Sequence, residues 1–278
     1  MAPDGARAAV MTASAPLPTV ILRGIRLHAI TEAACIDHVL GELGAHRGGW
    51  LATINVHYLR RLARDPAFRA ACAPRSLAVA DGMPLVWASR LQGTPLPERV
   101  TGAALVSSLT AGAAAAGRSL YLLGGAPGVA SAAADILMRR HPRLRIAGTL
   151  PLPLGFEPGE LALRPVADAL AQAAPDIIYV ALGSPKQDRV IARLRGALPG
   201  AWWLGVGAAL SFLTGDVPRA PVWMQRTGLE WLHRLAREPG RLARRYLADD
   251  LPFAAGLLLG AAARRVGGVT SPQGSPSR

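Results

Sequence analysis

With 278 residues, 51% of them apolar and only 18% charged, the chain has the material for a sizeable core, which excludes a largely disordered polymer. A formal net charge of +13 calls for an acidic partner, whether nucleic acid, an anionic membrane surface or a phosphorylated substrate, and charge alone does not choose among them. The two cysteines, Cys35 and Cys72, both fall in helical patterns, so neither a disulfide framework nor a cysteine zinc site is supported and a reducing cytoplasm is expected.

Residues 1–18 lack the continuous apolar stretch of a signal peptide and read as a disordered lead-in. "TVILRGIRL" then reads as a short hairpin around Gly24. From there strand-like runs, "WLATIN", "SLAVAD", "SLYLLGG", "LRIAGTL", "DIIYVALG" and "WWLGVGAAL", alternate with helical segments over 57–72, 102–117, 126–140, 159–174 and 185–197. The alternation predicts an α/β core over 19–213: a mostly parallel sheet with helices on both faces and ligands beyond the C-terminal strand ends.

From about Thr214 no further strand is predicted. The segment "RAPVWMQRTGLEWLHRLAREPGRLARRYLADDLPF" reads as two basic amphipathic helices broken at "EPG", within a helical appendage over 214–265. Arg226, Arg234 and Arg237 share one face of the first, opposite Leu229, Trp231, Leu232 and Leu235. Arg241, Arg244 and Arg245 oppose Leu242, Tyr246 and Leu247 in the second. Membrane contact and a solvated face explain the pair equally well. The following "FAAGLLLGAAA" is too short to cross a bilayer, and residues 266–278 read as a disordered tail.

Polar residues and glycines collect at the strand ends: Thr53 and Asn55, Asp81 and Gly82, Gly124 and Gly125, Gln187, Gly205 and Gly207. Asn55 and Asp81 fit a helix N-cap as well as a binding site. Gly124, Gly125 and Gly128 lack a dinucleotide fingerprint, leaving a tight turn or a backbone phosphate site. Ser184, Pro185 and Gln187 fit a capping box, which leaves Lys186, the only lysine in the chain, unexplained. No D-x-D pair of the kind that holds a divalent metal occurs, and the adjacent Asp249 and Asp250 read as a solvated helix end.

In order, "TINVHYL", "LAVADGMPLVWASR", "PERVTG", "LYLLGGAPGVASAAADIL", "PDIIYVALGSPKQDRVI", "WWLGVGAALSFLTGDVPRAPVW" and "GLEWLHRLAREPGRLARRYL" strongly resemble the WecG/TagA/CpsF family, glycosyltransferase family 26. The resemblance runs from about Thr19 to Leu247. It implies an inverting transfer of a sugar from a UDP-sugar to a polyprenyl-diphosphate-linked sugar, in cell-surface polymer synthesis. The implied fold is the family's α/β arrangement, sometimes called GT-E, whose C-terminal appendage completes the site and engages an anionic membrane surface. A cytoplasmic enzyme, peripheral at the inner face of the cell membrane, is therefore expected.

The same resemblance implies Asp81 as catalytic base, with burial raising its pKa. Thr53 and Asn55 match the family's T-x-N, Arg99 in "PERVTG" its diphosphate-binding arginine, and Gln187 the glutamine of its P-K-Q-E, which would hold sugar hydroxyls. Gly82, Gly124, Gly125, Gly205 and Gly207 complete the expected substrate-binding set. Arg219, Arg234, Arg241 and Arg244 are expected to reach a diphosphate or lipid headgroups. No metal or other cofactor is expected, its place being taken by arginines, Lys186 and backbone donors. Two departures stand out: Ala104 replaces an acidic residue in the family's R-V-x-G-x-D-L, and Asp188 replaces the glutamate of P-K-Q-E. No nucleic-acid partner is expected, because no recognised motif accompanies the charge. Association with a second subunit stays open, as do two alternatives: a nucleotide-binding regulatory module, and a phosphate-handling hydrolase with Asp81 as nucleophile or base.

Overall fold

The computed structural model describes residues 16–268 apart from residue 154, so most of the expected lead-in and all of the chain after 268 lie outside the described residues. The expected hairpin forms from β1 (Thr19–Leu22) and β2 (Ile25–His28). The six apolar runs become β3 (Gly49–Ile54), β4 (Leu77–Ala80), β5 (Ser119–Gly124), β6 (Arg145–Leu150), β7 (Ile177–Ala181) and β8 (Trp202–Gly205). They pair in one parallel sheet of order β4-β3-β8-β7-β5-β6. Parallel strands require crossovers, and those crossovers place helices on both faces.

The helices of the core are α1 (Glu32–Gly44), α2 (Val56–Arg64), α3 (Pro66–Ala71), α4 (Met83–Leu91), α5 (Gly102–Ala115), α6 (Val129–Arg140), α7 (Glu160–Ala173), α8 (Lys186–Leu194) and α9 (Ala209–Thr214). Residues 57–72, expected as one helix, are two. Pro66 cannot donate to the helical ladder, so the chain turns at Asp65, whose side chain then caps α3 through the Phe68 N–H at 2.9 Å.

Because side chains alternate across a strand, each strand feeds two cores. On one face Trp50, Ile54, Ile178 and Trp203 pack with α2, α4, α7 and α8. On the other Leu51, Leu122, Tyr179 and Leu204 pack with α1, α5, α6 and α9.

After α9 come α10 (Val222–Thr227), α11 (Glu230–Arg237) and α12 (Pro239–Ala243). The expected break falls at Glu238, and Pro239 opens the next helix, where its missing N–H costs nothing. From there the helix runs on through a π-helical segment, Arg244–Asp250, into α13 (Leu251–Gly268). The π segment lies just before Pro252, where an α-helical ladder would lose a donor.

Two expectations are corrected here. The helix over Pro239–Arg265 has 27 residues and contains an 18-residue window with a mean hydropathy of 1.2, so by length and composition it is long and apolar enough to cross a membrane, although 33% of that window is buried inside the protein. Asp250 is no solvated helix end: it is 7% exposed, in mid-helix, and paired with Arg60. Of the arginines expected on the first amphipathic face, the side chain of Arg226 lies outside the described residues.

Phe253, Leu257 and Ala261 on α13 join the first core cluster, with α13 lying against α4 and α2. Leu257→Ala is therefore expected to cost about 2–5 kcal/mol, measured as a lower denaturant midpoint, as for other buried leucines. An unchanged midpoint would mean that α13 does not belong to this core.

Candidate active site

The C-terminal ends of β3, β4, β7 and β8 open into a cavity of about 630 Å³, roofed by the helices that follow residue 214. Asp81 lies on its floor. Its N–H extends the β4 ladder to Ile54 O at 2.8 Å, and Gly82 then turns the chain at φ +155°, a backbone region that favours glycine. Gly82, not Asp81, is the N-cap of α4, so the capping explanation for Asp81 fails. Its Oδ2 instead accepts the Gly102 N–H at 3.4 Å, at the start of α5. Thr101 caps that helix through the Ala104 N–H at 3.1 Å.

Protein surrounds Asp81, although its surface still meets cavity solvent. Burial pushes its carboxyl from an ordinary 3.8 up to about 6; the Gly102 N–H and the Arg99 and Arg219 guanidinium groups oppose this rise, and Glu230 supports it. A carboxylate raised this far is a usable base near neutral pH.

Thr53, Asn55, Gly82 and Arg99 line the same cavity. So do Gly125, Gln187, Gly205 and Gly207 from the second half of the sheet, and Arg219, Arg234 and Arg241 from the segment after it. Two of the expected residues do not. Gly124, at φ +92°, is held by packing, since a Cβ there would sit 2.9 Å from Ala181 O. Arg244 is exposed outside the lining, and its neighbour Arg245 faces in. Ala104 also lies outside the lining.

Asn55 does cap α2, accepting the Tyr58 N–H at 2.9 Å. Gln187 is committed more deeply. Its Oε1 accepts the N–H groups of Gly183 at 3.1 Å and Gly207 at 3.0 Å, tying the loop after β7 to the loop after β8. This replaces the expected capping box: Pro185 is the N-cap of α8 and no side chain bonds there. The next residue, Asp188, is 2% exposed and accepts the Tyr58 hydroxyl at 2.8 Å, so the shorter carboxylate locks α8 to α2. Lys186 reaches Glu157 at 2.8 Å, in the loop between β6 and α7.

Several residues in the lining, and Arg60 behind it, were not expected from the sequence. Glu230 faces Arg99 with its Oε2 3.7 Å from Nη1. His57, Arg60 and Arg245 surround Asp250 at 3.3, 3.1 and 3.4 Å, where α2 meets the π-helical segment. The Nε groups of Arg219 and Arg234 are buried with no hydrogen-bond partner among the described residues. Unpartnered buried donors are costly, and both arginines line the cavity, where guanidinium groups suit an anion.

A parallel α/β sheet with a raised carboxylate under guanidinium groups, at its C-terminal edge, defines an enzyme cavity suited to a phosphorylated substrate. The Glycosyl transferase WecG/TagA/CpsF family matches residues 20–266, and the chain belongs to that family as a glycosyltransferase. It is 31% identical over 203 residues to the N-acetylglucosaminyldiphosphoundecaprenol N-acetyl-beta-D-mannosaminyltransferase of Bacillus spizizenii, a match covering 73% of this chain and 76% of that one.

The tie between the two loops is open to a direct test. A Cβ on Gly205 would lie 2.4 Å from Gln187 Nε2. Gly205→Ala is expected to displace Gln187 and lower the rate of transfer on the order of 10²-fold in a folded enzyme. Wild-type turnover in that variant would show that Gln187 need not hold its place.

Proposed function

We propose that the enzyme transfers a hexosamine or related sugar, with inversion, from a UDP-sugar to a sugar carried on a polyprenyl diphosphate. The observation that carries this is a raised carboxylate, Asp81, in one cavity with Arg219 and Arg234, whose buried Nε atoms have no hydrogen-bond partner among the described residues. The relative's printed activity, β-linked mannosaminyl transfer onto a diphosphoundecaprenol-linked sugar, is consistent with that chemistry and makes N-acetylmannosamine the first donor to try. Hexose and uronic acid donors follow.

In this mechanism Asp81 accepts the proton of the acceptor hydroxyl as that oxygen attacks the anomeric carbon. The bond from that carbon to the diphosphate breaks on the opposite face, and UDP departs with the bonding pair. Arg99, Arg219, Arg234 and Arg241 meet the charge that develops on the leaving diphosphate, each as a planar fork of donors. Asn55 and Gln187 have their carbonyl oxygens committed to the backbone, so each offers its amide N–H groups to sugar hydroxyls. Gly82, Gly125 and Gly207 allow close approach of substrate to the main chain, while Gly205 leaves room for the Gln187 side chain.

A lipid-linked acceptor requires the cavity to sit beside a membrane. Val222 and Trp223 on α10 are 61% and 60% exposed, and Leu247, Leu251 and Leu259 on the last helix are 51%, 41% and 73% exposed. Large apolar residues this exposed, close to arginines, suit a peripheral position on the anionic inner face of the cell membrane.

The test is UDP release with and without a polyprenyl-diphosphate-linked sugar. Release that requires the acceptor, and that falls by about 10²–10⁴-fold in Asp81→Asn, is the expected result. Release without acceptor would favour a hydrolase, and near-normal turnover in Asp81→Asn would remove Asp81 from the mechanism.

A further inference from the structure

Glu230 is the one carboxylate that the helices after residue 214 bring to the Arg99 side of the cavity, among the described residues. As the first residue of α11 it has an ordinary role open to it, since a negative charge suits a helix N-terminus. That role does not require an arginine. Yet the side chain lies 3.7 Å from the Arg99 guanidinium, with both groups largely buried at 18% and 21% exposure. The distance is too long for a hydrogen bond, so the pair is held by charge and leaves Arg99 donors free for a ligand.

Arg99 lies two residues before Thr101, on the loop that delivers the Gly102 N–H to Asp81; its charge acts on Asp81, Glu230 acts on Asp81 with the opposite sign, and Glu230 also attracts Arg99. The charged groups facing Asp81 are Arg99, Arg219 and Glu230, together with the dipole of the Gly102 N–H. A guanidinium free to close on Asp81 would form a strong pair with it and take away the base.

We propose that Glu230 is a positioning residue that restrains Arg99 from pairing with Asp81, leaving Asp81 to accept the proton and Arg99 to bind the donor diphosphate. The inference rests on the assignment of Asp81 as base. It gives α11 a share in the chemistry, because placing that helix over the cavity supplies a charge that holds Arg99 and adds to the rise that burial gives Asp81. Glu230 itself neither gains nor loses a proton in the transfer.

The experiment is the pH dependence of kcat/KM for the full-length enzyme, its Glu230→Gln and Glu230→Asp variants, and Asp81→Asn. The wild type should lose activity on the acid side near pH 6, where Asp81 takes up its proton. Removing Glu230 deletes a charge that favours protonation of Asp81 and releases Arg99 toward it. The acid limb of Glu230→Gln should therefore move to lower pH by about half a unit or more, with a several-fold lower plateau because a less basic carboxylate is a weaker base.

Glu230→Asp keeps the charge at shorter reach and should fall between the two; it also supplies the readout if Glu230→Gln does not fold. Loss of a helix-end charge alone would lower the thermal midpoint without moving the limb. An acid limb that stays in place, or moves to higher pH, in a folded Glu230 variant overturns the role of Glu230 alone. A surviving acid limb with retained turnover in Asp81→Asn overturns the assignment of Asp81 instead.

Discussion

Keeping a carboxylate out of water at the end of a buried strand is costly, and the site depends on how that cost is met. Asp81 follows four consecutive buried residues of β4, so the backbone delivers it into the interior rather than onto the surface. One long hydrogen bond from Gly102 and two opposing guanidinium charges are not enough to cancel desolvation, and the group stays near pKa 6. A shorter bond or a closer arginine would make a quieter carboxylate and a poorer base.

The rest of the cavity is built to hold its walls still around that group. Gln187 joins the loops after β7 and β8, Asp188 fastens the start of α8 to Tyr58 on α2, and Asp250 gathers Arg60, His57 and Arg245 where the last long helix meets α2. The bonds from Asp188 to Tyr58 and from Asp250 to α2 join elements far apart in the chain, so the sheet positions the ends and these side chains fix them. The helices after residue 214 then place arginines over the open side. The Nε atoms of Arg219 and Arg234 have no partner among the described residues, and unpaired guanidinium donors suit an anionic ligand.

Much of this was legible in the sequence for one physical reason. Parallel strands are buried on both faces and read as apolar runs, and their C-terminal ends are where ligands bind, so Thr53, Asn55, Asp81 and Gln187 announced themselves by position. Function at the level of family was legible in the order of the motifs. What the sequence hid was partnership. Whether Asn55 capped a helix or faced the cavity, and whether Asp81 did, depended on local turns: Gly82 took the cap at α4, while Asn55 kept it at α2. Asp250 looked like a charged helix end because its partners on α2 lie about 190 positions away. Glu230 was invisible for the same reason, as nothing within "GLEWLHRL" indicates that Arg99 faces it. Gly124 was overrated because its glycine serves close packing on Ala181 and not a ligand.

The state of Asp81 in solution is the most direct check on the whole account. Carbon-13 NMR of aspartate carboxyls, followed across pH in the wild type and in Asp81→Asn, isolates the one resonance that the substitution removes. The account requires that resonance to titrate near pH 6. Titration near the ordinary 3.8 would contradict it, because a carboxylate so easily ionised is not the desolvated base on which the cavity is organised.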